Sequence, residues 1–352
     1  MREQKMRFLS AIGVLCLALL AGAPTSAQTI ERPHVSVSFG SFIVGFLPLP
    51  LADSLGYFRE QGLDVEVQNF GAGGTKALQA LIGGSTDAVV GAYDSTIRMQ
   101  MQGKDIRCTI LFNNTPGFVV AVRKDLAGKI RTIRDLKGAT VGITAYGTGL
   151  DYAFRYFLVQ AGLTPDEVKI VAIGSGQNAV AAMENRSVDA VAHLDPAITA
   201  MQRRGIADVI LDTRGIDQTR ATFGGDYPYS CLYATADFID HYPVTMQRLV
   251  NALAKSLAFI HAHTPEEIAD VTPAEYQLGG RDVFVGILDA SKAMFPAIGR
   301  FDDADLARPA KIIASGDEQM RAASIRIEDT YTNRFVDAVP ASITDGSVER
   351  KR

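Results

Sequence analysis

The chain has 352 residues, 47% of them hydrophobic, with 35 basic and 39 acidic residues and a formal net charge of −4. This length suggests two domains of ordinary size. Nucleic acids and anionic lipid surfaces attract basic proteins. This mildly acidic composition therefore argues against nucleic acid and against an anionic lipid surface as partners.

The N-terminus has the pattern of an export signal. A basic start precedes the apolar run Phe8–Leu20, and Ala27 ends a cleavage site of small residues. The run is too short to span a bilayer comfortably, so stable membrane insertion is not expected. Removing residues 1–27 leaves 32 basic and 38 acidic residues, a net charge of −6. We expect a mature periplasmic protein that begins near Gln28.

Hydrophobic periodicity and turn residues predict an alternation of strands and helices, followed by helices alone. In chain order, the predicted elements are strand Val35–Phe39, helix Leu49–Gln61, a strand–helix–strand unit within Leu63–Ile97, helix Ser95–Met101, strand Ile106–Phe112, strand Phe118–Val122, a short helix Thr132–Leu136, strand Ala139–Thr144, helix Leu150–Ala161, a second strand–helix–strand unit, helix Ile198–Arg203, strand Asp208–Leu211, a long loop Asp212–Tyr229, strand Cys231–Ala234, and helices Met246–His261, Pro265–Val271, Val283–Ala293 and Asp302–Ser315.

The strand–helix–strand unit occurs twice. Adding 102 to the numbering of the first copy places Asp87 on Asp189 and Gly74 on Gly176. A repeated α/β unit predicts two similar lobes, each with a mixed, mostly parallel sheet flanked by helices. We expect lobe 1 to comprise residues 28–116 and 225–340, including a helical tail, and lobe 2 residues 117–224. Residues 341–352 are polar and are expected to be frayed.

The mature chain keeps two cysteines, Cys108 and Cys231. Each lies in an apolar run typical of a strand, which favours buried free thiols, with a disulfide as the alternative. Neither cysteine has the spacing of a metal site, and no metal or cofactor is expected.

The candidate site follows from the two-lobe prediction. Ligands of open α/β sheets bind beyond the carboxyl ends of the strands, and two such lobes place these loops across a cleft. The candidate ligand-binding residues on these loops are Ser41, Phe42, Gly74, Thr75, Tyr93, Asp94, Asn113, Thr148, Gly149, Ser175, Gly176, Gln177, His193 and Asp195.

Each candidate also has a structural explanation. The turn at Thr148 and Gly149 precedes a helix, so it could hold an anionic group or only cap that helix. Asp94 and Asp195 could likewise be N-caps. Phe42 and Tyr93 could stack a planar ligand or only pack, Asn113 could cap a turn, and the glycine turns at 73–75 and 175–177 could be tight turns.

Catalysis finds little support in the sequence. The five histidines are scattered, and no nucleophile triad, phosphate loop or paired metal spacing stands out. His193 is the one histidine on a predicted cleft loop, and a hydrogen-bonding role is favoured for it.

The motifs together resemble a known family. Pro50-Leu51-Ala52, Gly56-Tyr57-Phe58, Gly73-Gly74 and Asp87-Ala88-Val89 are similar to the first lobe of periplasmic solute-binding proteins of nitrate/sulfonate/taurine-type ABC importers, and Gly147-Thr148-Gly149 with Asp195-Pro196 to the second. The resemblance implies a type II binding-protein fold, hinged by two crossover strands, that acts as a monomer. It implies a small-molecule solute, and as partners a membrane permease and its ATPase. The hinge is expected near Asn113–Gly117 and Gly224–Ser230.

Two alternatives remain open from the sequence. Asp94 departs from what a purely anionic ligand needs, so an amino-sulfonate or a neutral heterocycle is an alternative to sulfonate, taurine or nitrate. The rival function is an enzyme of the same fold acting on a pyrimidine, a thiamine precursor, for which His193 and Asp94 are the candidate groups.

Overall fold

The computed structural model describes residues 29–71, 73–277, 279–316 and 325–344. The expected export signal, residues 1–27, lies outside them. Within the described residues, ten strands form two five-stranded sheets. The strands are β1 His34–Phe39, β2 Asp64–Asn69, β3 Ala88–Ala92, β4 Ile106–Leu111, β5 Val119–Arg123, β6 Thr140–Ile143, β7 Lys169–Ala172, β8 Ala190–His193, β9 Ala207–Asp212 and β10 Ser230–Thr235.

The two sheets have the same topology, which confirms the two-lobe α/β fold. Lobe 1 has the strand order β2-β1-β3-β10-β4, and lobe 2 has β7-β6-β8-β5-β9. In each sheet the first three strands are parallel, and the fourth is antiparallel to both of its neighbours. The fourth strand is exchanged between the lobes: β5 follows β4 into lobe 2, and β10 returns from lobe 2 to lobe 1.

The sequence repeat has a structural counterpart at its aspartates. The Asp87 carboxylate accepts a hydrogen bond from the Ser36 backbone N–H of β1 at 2.9 Å. The Asp189 carboxylate accepts one from the Thr140 backbone N–H of β6, also at 2.9 Å. Equivalent aspartates, each just before a strand, therefore attach the start of β3 to β1 and the start of β8 to β6.

Helices flank both sheets and form the tail. They are α1 Pro48–Ser54, α2 Tyr57–Glu60, α3 Gly74–Ile82, α4 Asp94–Met101, α5 Gly149–Gln160, α6 Gln177–Glu184, α7 Ala197–Arg203, α8 Ile216–Phe223, α9 Ala236–His241, α10 Pro243–Ala262, α11 Pro265–Val271, α12 Arg281–Ser291, α13 Asp303–Gly316 and α14 Ala341–Thr344. Short 3₁₀ turns lie at Val44–Phe46, Lys124–Leu126, Ile133–Leu136, Pro165–Glu167, Ala274–Tyr276, Lys292–Met294 and Ile327–Asp329.

Three predicted elements differ from the structure. The helix expected over 49–61 is broken between α1 and α2, where Gly56 has a φ of 74°. The region expected to be a long loop, 212–229, contains α8, whose eight residues include few apolar ones and therefore show no clear helical period. Residues expected to be frayed from 341 onward begin with the turn of helix α14, which packs against α10.

The helical tail contacts both lobes. Helix α10 packs on α1 and α2 of lobe 1, whereas α13 packs on α5 and α12 on α7, both of lobe 2. Arg308 of α13 donates to the backbone oxygens of Phe223 and Gly224 at the end of α8. The tail therefore connects the two lobes through its contacts with each of them.

The preference for free thiols is wrong in this structure. Cys108 of β4 and Cys231 of β10 form a disulfide with their Cα atoms 6.0 Å apart. Both side chains are fully buried in the core of lobe 1. Sequence patterns could not pair them, because only the return of β10 beside β4 makes them neighbours.

The described residues contain neither a membrane-spanning helix nor a metal-binding cluster. Among their helices, none has the length and apolar character needed to cross a membrane. The described histidine, cysteine, aspartate and glutamate side chains form no group of three or more that could hold a metal ion.

Candidate functional site

Loops at the carboxyl ends of the strands approach one another across the two lobes. The backbone N–H of Val44 lies 3.5 Å from the carbonyl oxygen of Asp195. A Cβ atom on Gly73 would lie 3.8 Å from that of Ala145, and one on Gly149 would lie 2.6 Å from Asp94 Oδ1. Three loops of lobe 1 thus meet two loops of lobe 2, those after β6 and β8, which defines the cleft.

Asp94 is a buried charged residue of this cleft. It is the first residue of α4 and is only 2% exposed. Its Oδ2 accepts a hydrogen bond from Arg98 Nε at 3.1 Å, one turn along the helix. Its Oδ1 is buried and has no hydrogen-bond partner in the structure. Burial raises the pKa of the Asp94 carboxyl, and the Arg98 guanidinium opposes that shift.

The facing element of lobe 2 is the N-terminus of α5. Thr148 caps this helix: its Oγ1 accepts from the Asp151 backbone N–H at 3.3 Å and donates to the Ala145 oxygen at 2.9 Å. The Asp151 carboxylate accepts from the Gly147 backbone N–H at 2.9 Å. The predicted cap is therefore present, and the Thr148 hydroxyl is already engaged. Gly149 lies directly against Asp94, and only a residue without a side chain fits there, since an added Cβ would collide with the carboxylate.

The loops after β1 and β2 form one wall of lobe 1. Ser41 Oγ donates to the Gly40 oxygen at 2.8 Å and accepts from the Gly73 backbone N–H at 3.1 Å. Gly74 begins α3 and is exposed. The neighbouring Thr75 has a buried Oγ1 without a hydrogen-bond partner in the structure. Two buried oxygens without a hydrogen-bond partner, on Thr75 and Asp94, thus lie at the starts of the lobe 1 helices α3 and α4.

His193 ties together two loops of lobe 2. Its Nε2 lies 3.1 Å from the Gly174 oxygen and its Nδ1 lies 3.2 Å from the Leu194 oxygen. The ring is 2% exposed, and burial lowers the pKa of the imidazole. A neutral imidazole has one N–H and can donate to only one of these oxygens. Both ring nitrogens thus face backbone oxygens of lobe 2, and a ligand role for His193 stays a prediction.

Asp195 uses both carboxylate oxygens within lobe 2. Oδ1 accepts from the Thr199 backbone N–H at 2.8 Å in the first turn of α7, whose N-cap residue is Pro196. Oδ2 lies 3.0 Å from Arg214 Nη1, and Arg214 is also paired with Asp212 at 2.6 Å. Asp195 is therefore not the N-cap but bonds to the first turn of α7 from one residue before it, while its backbone oxygen faces lobe 1.

Two predicted residues have side chains that are committed elsewhere. Tyr93 is fully buried, and its hydroxyl is bonded to Thr330 of the tail at 2.6 Å, so it packs in the core rather than stacking in the cleft. Asn113 is fully buried and bonds to Ser230 between the two crossing segments. Phe42 is half-buried, and its ring centroid lies 4.8 Å from that of Tyr276 in the tail.

The loop after β7 is the least engaged part of the predicted site. Ser175 accepts from the Asn178 backbone N–H at 3.3 Å within its own turn. Gly176 has a φ of 59°, and Gln177, which begins α6, is exposed. A ligand role for these three residues stays a prediction.

The sequence pattern missed several residues of the cleft. Arg98 pairs with Asp94, and its guanidinium lies 5.9 Å from the Tyr152 ring centroid of α5. Its i,i+4 spacing from Asp94 was the available signal. Tyr229 lies beside Gly149, and burial, with the Asp94 charge, raises its hydroxyl pKa. Arg214 was within the segment expected to be a loop.

A narrow pocket of about 310 Å³, counted out to its open mouth, lies where the lobes, the first crossing segment and the tail meet. Its lining residues are Ile43, Val44, Gly45, Asn113, Pro116, Gly117, Leu194, Asp195, Arg214, Ser291 and Met294.

Comparisons with known proteins agree with this architecture. A protein of Bordetella bronchiseptica RB50 is 32% identical, with 88% of this chain and 98% of that chain covered and a TM-score of 0.83. The periplasmic aliphatic sulphonate binding protein SsuA from Escherichia coli is 19% identical, with 87% and 100% covered and a TM-score of 0.67. At this identity, the second match shows the fold alone.

The sequence comparisons identify the family. YtlA of Bacillus subtilis (strain 168), which is named as a candidate binding protein, is 22% identical over 280 residues, 78% of this chain and 79% of that protein. The family model described as "NMT1/THI5 like" matches residues 44–268, more than half of the chain. The chain therefore belongs to the NMT1/THI5-like family.

Proposed function

We propose that this protein is the solute-binding component of an ABC importer. It captures a small polar or anionic organic solute, of the sulfonate, taurine or nitrate kind, between its lobes and delivers it to a membrane permease coupled to an ATPase. The export signal expected in residues 1–27 would place it in the periplasm, where it acts as a monomer.

One observation carries this proposal. Loops from opposite lobes approach within contact distance, and two buried oxygens on them, Thr75 Oγ1 and Asp94 Oδ1, have no hydrogen-bond partner in the structure. Buried polar atoms normally find a partner, and a solute between the lobes supplies one. The fold shared with a periplasmic sulphonate-binding protein supports the same reading.

Closure around the solute is the expected mechanism. The two crossing segments, 112–118 and 213–229, are the connections through which one lobe can turn relative to the other. A solute that contacts both lobes favours the closed arrangement because only that arrangement offers all its contacts. The closed form then presents both lobes to the permease.

A thermal-shift screen of the mature chain tests the proposal, with sulfonates, carboxylates, amines and heterocycles as probes. A solute that binds only the folded protein raises its melting temperature with concentration. Native mass spectrometry of the complex should show one solute per chain, released unchanged. A solute returned as a different compound would instead support the enzyme alternative, and no binding from any class would contradict the proposal.

Thr75→Val gives a matched test of the site. The substitution removes a hydroxyl that has no partner in the structure, so the melting temperature of the free protein should hold. Loss of one solute hydrogen bond should weaken binding by about 0.5–1.5 kcal/mol. Thr96→Val is the control, because Thr96 Oγ1 donates to the Tyr93 oxygen at 2.8 Å and its loss should lower stability instead.

A further inference from the structure

The Asp94 oxygen without a hydrogen-bond partner indicates which kind of solute group the buried end of the cleft can bind. Asp94 Oδ1 is an acceptor, and a side chain that is 1% exposed cannot reach bulk water. An unmatched buried carboxylate oxygen is costly, and an N–H or O–H donor satisfies it, a charged ammonium most strongly. The missing partner of this oxygen is therefore a donor.

The same carboxylate occupies the place that would otherwise suit an anion. The N-terminus of α5, a helix of 12 residues, carries the positive end of the helix dipole. Asp94 Oδ1 already lies there, 2.6 Å from where a Gly149 Cβ would be. A sulfonate or carboxylate at this point would meet a second negative charge in a site of low dielectric.

The guanidinium groups nearest the cleft do not offset this repulsion between Asp94 and an anionic solute group. Arg98 is bonded to Asp94 at 3.1 Å and to Ser95 at 3.3 Å. Arg214 is bonded to Asp195 and Asp212. Each of these two cations is thus neutralised by aspartate, and neither presents an unpaired charge to an oxyanion.

We propose that the cleft selects solutes whose buried end carries an N–H donor, a primary ammonium group above all, which bonds to Asp94 Oδ1. This inference rests on the proposed function and narrows its solute class. An acidic group at the other end of the solute is compatible with it, whereas a solute with oxyanion chemistry alone is not. Amino-sulfonates and amino acids are therefore favoured over simple sulfonates and nitrate.

Three matched pairs of probes test the preference in the full mature protein: taurine with ethanesulfonate, β-alanine with propionate, and benzylamine with benzoate. Each pair exchanges or removes the amino group on a similar carbon frame. Calorimetric titration should give at least about tenfold tighter binding for the amino member of the pair that binds best, the selectivity expected when a buried charge is paired or left unpaired. Equal or tighter binding of the member without nitrogen, or no binding of any amino member, would overturn the proposal.

Asp94→Asn isolates the carboxylate. The near-isosteric amide removes the negative charge, so the affinity ratio within the binding pair should fall at least about fivefold, while a purely structural role would weaken both members alike. Asp208→Asn is the control, since Asp208 is an exposed partner of Lys124 in lobe 2, and the ratio should hold there. An unchanged ratio in a folded Asp94→Asn protein would also overturn the proposal.

The unmodified protein supplies the decisive ratio even where the variant does not fold. Tight binding of ethanesulfonate, propionate or benzoate in preference to the amino probes would end this inference and leave the proposed solute-binding function standing. Failure of every solute in the broader screen would end both.

Discussion

Asp94 and Gly149 show how one glycine shapes the cleft. They belong to opposite lobes, and Gly149 brings the start of α5 against the Asp94 carboxylate and the Tyr229 ring. The glycine backbone here needs no left-handed conformation, since only the absence of a side chain matters. The requirement at this position is space between lobes rather than backbone freedom.

Gly149→Ala should therefore destabilise the protein by about 1–3 kcal/mol, the usual cost of overpacking a filled site. The added Cβ would meet Asp94 Oδ1 at 2.6 Å and Tyr229 Cε2 at 3.3 Å. Denaturant unfolding measures the change. Gly74→Ala is the matched control, because Gly74 also begins a helix but an added Cβ meets nothing within 4 Å. Equal stabilities of the two variants would contradict the close approach.

His193 should make stability depend on pH. Burial lowers its pKa in the folded protein below the ordinary value of 6.5. The unfolded chain then takes up the proton first, so the free energy of unfolding falls as the pH drops below about 6.5, by at most about 1.4 kcal/mol per pH unit. The Asp195 charge and the two carbonyl oxygens oppose this shift in part.

Unfolding of the unmodified protein and of His193→Asn between about pH 7 and pH 5.5 tests the prediction. The variant should lose part of the decline, because its amide does not titrate in this range. His241→Asn is the control: His241 is exposed and bonds to the Asp237 backbone within its own helix. Parallel stability profiles for all three proteins would show that His193 does not carry the effect.

The residue scale is also where sequence reasoning reached its limit. It placed Asp94, Gly149, Thr148 and His193 on facing loops, because strand ends can be counted along the chain. It could not tell that Tyr93 points into the core toward Thr330, since a residue at a strand end can face either side. Contact of these residues with a solute stays a prediction.

At the scale of elements, the strands were predictable, whereas one helix and one helix break were not. Each of the ten strands has a predicted counterpart: β1 and β2 follow from alternating apolar residues, and most others from short apolar runs, as at β3 and β8. The strand β7 follows from the repeat. Helix α8 escaped because it lies in a segment rich in glycine and charge, and the break at Gly56 escaped because a single glycine is tolerated in many helices.

The pairing of β4 with β10 has a consequence for stability through the disulfide between them. Cys108 and Cys231 are separated by 123 residues, a span that contains all of the lobe 2 strands. A cross-link over so long a segment restricts the unfolded chain, and typical disulfides contribute about 2–4 kcal/mol. Reduction should lower the free energy of unfolding by about that amount.

Denaturant unfolding with and without a reductant measures the contribution. Cys108→Ala/Cys231→Ala is the control, since a chain without these thiols should not respond to the reductant. Thiol labelling of the unfolded, unreduced protein should find neither cysteine free. Labelling of both cysteines, or a stability unchanged by reduction, would show that the bond does not form.

At the scale of the whole molecule, the two crossing segments decide how the lobes are held. They run beside each other: the Tyr227 backbone N–H donates to the Asn114 oxygen at 2.8 Å, and that of Tyr229 donates to the Asn113 oxygen at 3.2 Å. Helices α12 and α13 contact lobe 2 while α10 packs on lobe 1. Any closing motion therefore has to bend the crossing segments and slide the tail together.

Asn113 is the side chain that joins these segments, because its amide bonds to the backbone N–H and to the hydroxyl of Ser230. Its Oδ1 accepts from the Ser230 backbone N–H at 2.9 Å, and its Nδ2 donates to Ser230 Oγ at 3.1 Å. Asn113→Ala leaves a buried N–H without a partner, so it should cost about 1–3 kcal/mol of stability. Asn114→Ala is the control, since the bonds described for Asn114 come from its backbone, and its stability should stay within about 0.5 kcal/mol of that of the unmodified protein.

Because Asn113 joins the crossing segments rather than one lobe, its loss should also loosen the coupling between the lobes. Hydrogen exchange should rise at Ser230 and Tyr229 while the sheet of lobe 2 keeps its protection. Uniform loss of protection in both sheets would instead assign Asn113 to the general core.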